Sequence, residues 1–219
     1  MSENTACGKS NQKPMESKRQ KIKMDSPFLP LLYAIDTFVS SHTDNQKPFL
    51  LAIDGMCGSG KTSLAKELSE IYNCNVFHID DFYLPFEMRT KERLEQPGGH
   101  MDYERFKEEV LMPIVRQEPV IYVPYQCATG NYGEPTIINT KNINIIEGSY
   151  SLHPFLNQVY DCKVFLTVRE QVQIQRIGKR CGEEKLKQFL NQWIPLENKY
   201  FSELNIPRIS DLVMDTSSL

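Results

Sequence analysis

Gly55-Met56-Cys57-Gly58-Ser59-Gly60-Lys61-Thr62 fills the spacing G-x-x-x-x-G-K-[ST], and Ser63 follows it. Glycines so spaced let a backbone curl until successive N–H groups face one anion, and a helix starting there adds its positive end. Lys61 would supply full charge to the outer phosphates of ATP or GTP, and the Thr62 hydroxyl would be a ligand for Mg²⁺. Residues 55–63 are therefore the expected nucleotide-binding segment. Cys57 inside it reads as a small filler rather than a reactive thiol.

Carboxylates are the other candidates. Asp80 and Asp81 close one apolar stretch, and Glu147 follows another at residues 143–146. Parallel sheets collect ligands at the carboxyl ends of their strands. Phosphoryl transfer to an alcohol needs a metal ion and a group that orients and deprotonates the hydroxyl. One or two of these carboxylates can hold Mg²⁺ beside Thr62 while another serves the acceptor.

The elements that must position these groups are legible as periodicity. Phe28, Leu31, Leu32, Ile35, Phe38 and Val39 step by three and four, an amphipathic helix, with order expected to begin near Pro27. Residues 48–53 are a short apolar run that reads as a buried strand, followed by the glycine loop and a helix over 61–72. A second strand is expected over 75–83, a long loop or lid over 84–102, and a helix around Phe106 to Ile114 kinked by Pro113. Residues 143–146 and 162–168 read as further buried strands, 169–201 as polar and helical, and 212–214 as a last short strand. Alternation of this kind specifies an α/β fold, a parallel sheet flanked by helices.

Composition narrows the classes. The chain is 40% hydrophobic and 24% charged with a net charge of −3, as in a water-soluble globular protein and without the basic excess of a nucleic-acid binder. No run approaches the ~18 apolar residues of a membrane span, and no secretory apolar core opens the chain, so a cytoplasmic location is expected. The six cysteines show no C-x-x-C pair or metal-type spacing, which reads as reduced thiols. Residues 1–24 hold six Lys or Arg against two Glu and are expected to be a disordered basic tail before a single domain over 25–219. The partners expected are a small molecule and, at most, further copies of the chain.

Taken together, several segments resemble the uridine kinase family, most closely a bacterial uridine-kinase-like branch. They are the phosphate loop, His78-Ile79-Asp80-Asp81-Phe82-Tyr83-Leu84-Pro85, Gly98-Gly99-His100-Met101-Asp102-Tyr103-Glu104-Arg105-Phe106, Ile146-Glu147-Gly148-Ser149-Tyr150 and, later, Trp193-Ile194-Pro195-Leu196-Glu197-Asn198-Lys199-Tyr200-Phe201. The resemblance implies a P-loop NTPase fold with a helical lid and ATP-dependent phosphorylation of a nucleoside-like hydroxyl. It makes Asp80 the acceptor-activating carboxylate, also in touch with the metal, and Glu147 a metal ligand. Tyr83 and Asp102 fall where the family contacts the nucleoside. Arg176 and Arg180 fall in the lid, where they would stabilise charge on the transferring group.

The segment Tyr122-Val123-Pro124-Tyr125-Gln126-Cys127-Ala128-Thr129-Gly130 resembles the base-pocket segment, with Tyr125 suited to stack on a ring. Where the family places an aromatic residue and a base-contacting histidine, this chain has Cys127 and Gly130. His100 and His153 are the available replacements. Nicotinamide riboside, pantothenate and a sugar phosphate stay open as acceptors. A nucleotide-binding switch without an acceptor is the alternative from another class, but N-K-x-D is missing, as is D-x-x-G after the third strand.

Overall fold

In the computed structural model, which describes residues 28–41 and 47–219, the chain wraps around its most apolar segment. The basic tail, Cys7 and Pro27 lie outside the described residues. The central segment is β1, Phe49–Gly55, in which all seven residues are buried. A strand apolar on both faces is stable only where both faces are covered, so it takes the middle of the sheet. Around it lie β2 (Cys74–His78), β7 (Ile143–Glu147), β8 (Cys162–Thr167) and β9 (Leu212–Asp215) in the order β2-β7-β1-β8-β9, all parallel. Glu147 pairs in register with Ile53 on one side and His78 on the other, so it emerges level with the start of the phosphate loop.

Alternate residues of β1 face opposite layers. Phe49, Leu51 and Ile53 pack with Leu31 and Ile35 of α1 (Leu29–Ser41) and with Leu64 and Leu68 of α2 (Lys61–Ile71). Leu50 and Ala52 belong to the other core, with Phe106, Val110, Leu111 and Tyr200. That second layer contains the helical segment made of α4 (Tyr103–Phe106), a π-helical turn (Lys107–Leu111) and α5 (Met112–Arg116). Pro113 accounts for the turn, because its ring would press on the carbonyl four residues back and it has no N–H to give. The same device recurs at Phe189–Trp193, between α6 (Glu170–Gln188) and α7 (Ile194–Glu203), just ahead of Pro195.

The structure differs from the expected elements in three places. The second strand stops at His78, and Ile79–Asp81 forms a 3₁₀ turn closed by Phe82 N–H donating to Ile79 O at 2.8 Å. Burial of both Ile79 and Phe82 forces the turn, since a continuing strand would send them to opposite faces. The stretch 84–102 is not all loop, since it carries a 3₁₀ turn at Phe86–Met88 and a short helix α3 (Lys91–Leu94). Two small antiparallel pairs were not foreseen: β3 (Val120–Tyr122) with β6 (Thr136–Ile138), and β4 (Tyr125–Gln126) with β5 (Asn131–Tyr132). A short helix, α8 (Ile206–Ile209), leads into β9. Among the described residues no helix is long and apolar enough to cross a membrane, and the five cysteines are free thiols.

Candidate active site

The phosphate loop leaves β1 at Gly55, whose φ of 144° and surroundings admit no side chain: a Cβ there would lie 2.2 Å from Leu166 O of β8. The loop can therefore turn tightly against the sheet before α2 begins at Lys61. Lys61 is 9% exposed, and its Nζ donates to Gly55 O at 2.8 Å and Met56 O at 3.2 Å.

Loop residues 57–63 form one wall of a cavity of about 620 Å³. Asp80, Tyr83, Glu147, Ser149 and Tyr150 form a second wall, and Arg176, Arg180, Trp193 and Glu197 a third. The glycine loop, the carboxylates and the two arginines of α6 thus share one space. Asp102 and Tyr125 are not among its lining residues.

Thr62 Oγ1 donates to both carboxylate oxygens of Glu147, at 3.2 and 3.3 Å. This all-oxygen pair, beside Asp80, suits a hard divalent cation such as Mg²⁺. Among the described residues no three His, Cys, Asp or Glu side chains form a metal cage. Such an ion would take its other ligands from phosphate and water, as magnesium commonly does. Glu147 also meets His78 Nδ1, 2.5 Å from Oε1. That hydrogen bond is the main reason the His78 pKa rises; burial opposes it, while the charges of Glu147, Asp81 and Asp80 add to it.

The two adjacent aspartates have separate surroundings. Asp81 Oδ2 accepts from Tyr122 OH at 2.7 Å and is tied to the small sheet. Asp80 opens into the cavity, and a Cβ on Gly148 (φ 132°) would lie only 3.2 Å from its Oδ1 and 2.8 Å from Ile79 Cγ2. A glycine after Glu147 is what lets this carboxyl stand next to it. Although the residue is open to solvent through the cavity, the density of protein around its carboxyl pushes the Asp80 pKa up to about 7; Lys61 pulls it down, and Glu147, Glu197 and Asp81 raise it further.

Tyr83 lines the cavity beside an aromatic group, 5.7 Å from the His100 ring and 6.3 Å from Trp193. His100 is neutral, its pKa driven to about 4 by burial and by Arg89. His153 stacks on Tyr103 at 4.0 Å and is likewise held at about 4, mainly by burial. Asp102 is 5% exposed, and its Oδ1 caps α4 by accepting from Arg105 N–H at 3.0 Å. Tyr125 packs against Phe86 and Tyr132, and its hydroxyl accepts from Phe86 N–H. Cys127 is exposed, with an Arg89 Nη2 3.8 Å from its sulfur.

Arg176 donates to Gly58 O at 3.2 Å, to Thr216 O at 2.8 Å and to Leu219 O at 3.0 Å, joining lid, loop and the segment after β9. Arg180 is held more loosely, over the Phe189 ring and beside Cys181 Sγ.

Two acidic residues escaped sequence reasoning. Asp54 is wholly buried and accepts from the N–H groups of Gly55, Tyr150 and Leu152 and from Tyr200 OH. Burial lifts its pKa to about 6 against the pull of these donors and Lys61. Its bonds hold Tyr150 at a φ of 79°, the left-handed region, on the cavity wall. Glu197 of α7 accepts from Cys57 N–H at 2.8 Å and Ser149 Oγ at 2.7 Å. Asp54 carried a signal, a carboxylate inside an apolar strand; Glu197 lies 140 residues from its partner Cys57 and carried none.

Fold and loop together define a P-loop NTPase fold, a parallel sheet flanked by helices. A solved structure described as a possible uridine kinase from Bacillus stearothermophilus matches with a TM-score of 0.62, at 19% identity, over 84% of this chain and 97% of that one. A Saccharomyces cerevisiae protein described as a candidate P-loop kinase with a circular permutation matches with a TM-score of 0.61, at 12% identity, over 85% and 97%. In sequence, the chain is 27% identical over 188 residues to a uridine kinase of Bacillus mycoides, covering 74% of this chain and 86% of that protein. The resemblance read from the motifs is thus borne out. No family model matches the chain.

Proposed function

We propose that the protein is an ATP-dependent kinase that phosphorylates a hydroxyl of a nucleoside or nucleoside-like small molecule. The observation that carries this reading is the single cavity shared by residues 57–63, Asp80, Glu147, Tyr83 and the lid arginines. In this reading the loop amides and Lys61 hold the triphosphate, with GTP the alternative donor. Mg²⁺ held by Thr62, Glu147 and Asp80 would neutralise charge on the phosphates. Asp80 orients the acceptor hydroxyl and takes its proton, a task suited to a carboxylate whose pKa lies close to neutrality. Arg176 and Arg180 face the cavity, where they offset charge on the transferring phosphoryl group.

Tyr83, with Trp193 beside it, offers a flat surface to the acceptor. The resemblance assigns ribose recognition to Asp102 and ring stacking to Tyr125; neither lines the cavity, so both roles require the acceptor side to rearrange when substrate binds. Cys127 and Gly130 give no polar edge to a pyrimidine, so selectivity among bases should be weak. A coupled ADP-release assay over uridine, cytidine, purine nucleosides and nicotinamide riboside, with pantothenate and sugar phosphates as controls, tests the reading. Release stimulated by ribonucleosides or nicotinamide riboside supports it. Slow release indifferent to every acceptor would replace it with a nucleotide-binding switch. Efficient, uridine-selective turnover would refute the weak-selectivity part.

A further inference from the structure

Cys57 is held through its backbone from two directions. Its N–H donates to Glu197 Oε2 at 2.8 Å, and its carbonyl accepts from Gln173 Nε2 at 2.9 Å, with Gln173 also 3.3 Å from Sγ. Glu197 lies on α7 and Gln173 on α6, helices far along the chain from the loop they grip. Both side chains are buried, Glu197 at 5% and Gln173 at 2% exposure. The other oxygen of Glu197 accepts from Ser149, two residues beyond Glu147. Each of its oxygens is thus engaged, one by the loop and the other by the segment that follows Glu147.

A buried carboxylate is costly unless its bonds are well made, and among the described residues Glu197 forms no ion pair. It is also an anion beside a loop built to receive anions. A placement that opposes the ligand's charge calls for a compensating role, and geometry provides one. Gln173, Arg176 and Arg180 are spaced three and four apart, so they share one face of α6. That face meets the loop at Gly58, where a Cβ would touch Ile177 and Gln173. The helix that presents the arginines therefore also fixes the loop.

Resting on the nucleotide-binding reading of the loop, we infer that Glu197 and Gln173 are positioning residues. Together they clamp the Cys57 peptide and set the loop in its phosphate-accepting shape. Neither touches the reacting atoms; they act by keeping the neighbouring amides aimed, where small misplacements are expensive.

Two substitutions separate hydrogen bond from charge. Glu197→Gln keeps an oxygen for the Cys57 N–H and removes the charge, whereas Glu197→Ala removes both. ATP affinity, measured by equilibrium titration of the full chain, should be about tenfold weaker in the Ala variant than in the Gln variant, the worth of one good buried hydrogen bond. Adding Gln173→Ala should cost about tenfold in the Gln variant but at most about threefold in the Ala variant, because the peptide is already released on one side. Equal affinities of the Gln and Ala variants, or a Gln173 effect of the same size in both, would overturn the clamp. If Glu197→Ala does not fold, Glu197→Met replaces it: it fills similar space but offers the Cys57 N–H no oxygen, and the same pattern is expected. Because the readout is binding, the kinase reading fails separately. A chain with this pattern but no transfer to any acceptor would keep the clamp and lose the kinase.

Discussion

Asp80 and Asp81 are adjacent and chemically identical, yet the turn at Ile79–Asp81 gives them different surroundings, and exchanging each for asparagine tests whether only Asp80 serves the proposed reaction. Asp80→Asn keeps the shape of the side chain and removes the base. General-base catalysis contributes about 10²–10⁴ in rate, so turnover should fall by that factor, about 3–5 kcal/mol of barrier. ATP binding should persist, because the loop amides and Lys61 are unchanged. The pH dependence should also change. With the free-enzyme pKa of Asp80 near 7, wild-type kcat/KM should rise with pH and level off above about 7, since the base must be ionised. That limb should vanish in the residual activity of the variant.

Stability should move the other way. A carboxyl whose folded pKa is raised prefers to be protonated in the folded state, so ionising it between about 4 and about 7 costs stability. Asn removes this cost, but water in the cavity screens an open side chain, so a gain of about 1 kcal/mol is expected rather than the full worth of the shift. Asp81→Asn keeps an oxygen for the Tyr122 hydroxyl and should change turnover by less than about threefold. Steady-state assays from pH 5.5 to 8.5 (bracketing about one and a half units around the expected pKa) and urea titrations at pH 7 provide the measurements. If Asp81→Asn abolishes activity and Asp80→Asn does not, the assignment of the base is one residue out and the argument from the turn is wrong.

Lys61→Ala should lower turnover by about a hundredfold or more with the fold intact, since in the proposed reading it removes the charge that leaves Gly55 O and Met56 O to meet phosphate; near wild-type kcat would refute the kinase reading. Arg180→Ala should reduce activity at unchanged stability, because its side chain holds little else, whereas Arg176→Ala should also lower the melting temperature by releasing Gly58, Thr216 and Leu219; equal melting shifts would contradict this. Asp54→Asn should destabilise by about 2–4 kcal/mol, because an amide group would face the Leu152 N–H and Tyr200 hydroxyl donors. With Asp54 raised to about 6, the folded state binds the extra proton between about 4 and 6, so the stability gap between wild type and this variant should widen as pH falls through that window.

The parts legible in the sequence were those with strong local signals. β1, the phosphate loop and α2 follow from an apolar run, a glycine spacing and a helical period within about 25 residues. Asp80 and Glu147 were singled out because ligands collect at strand ends in such sheets, and both line the cavity. The boundary at His78 was not legible, because an apolar alternation continues through Ile79 and only tertiary packing of Phe82 breaks it. The β3–β6 and β4–β5 pairs involve two- and three-residue strands, too short for a period to register. The grips of Glu197 and Gln173 on Cys57 depend on contacts 140 and 116 residues apart, for which a single sequence holds no signal.

Tyr83 and Met101 form an isolated antiparallel bridge, and Asp102 N–H donates to Phe82 O at 2.8 Å. Residues 84–100 are therefore a stitched-off excursion, pinned at its neck. Lengthening a closed loop costs only about 0.6 kcal/mol per doubling, so insertions at the exposed positions of this excursion cost little in closure entropy while the neck keeps Tyr83 in register. In engineering terms the chain carries an insertion site: codons can be added within one contiguous stretch, none of whose residues lines the cavity, while Gly55 to Ser63 stays untouched.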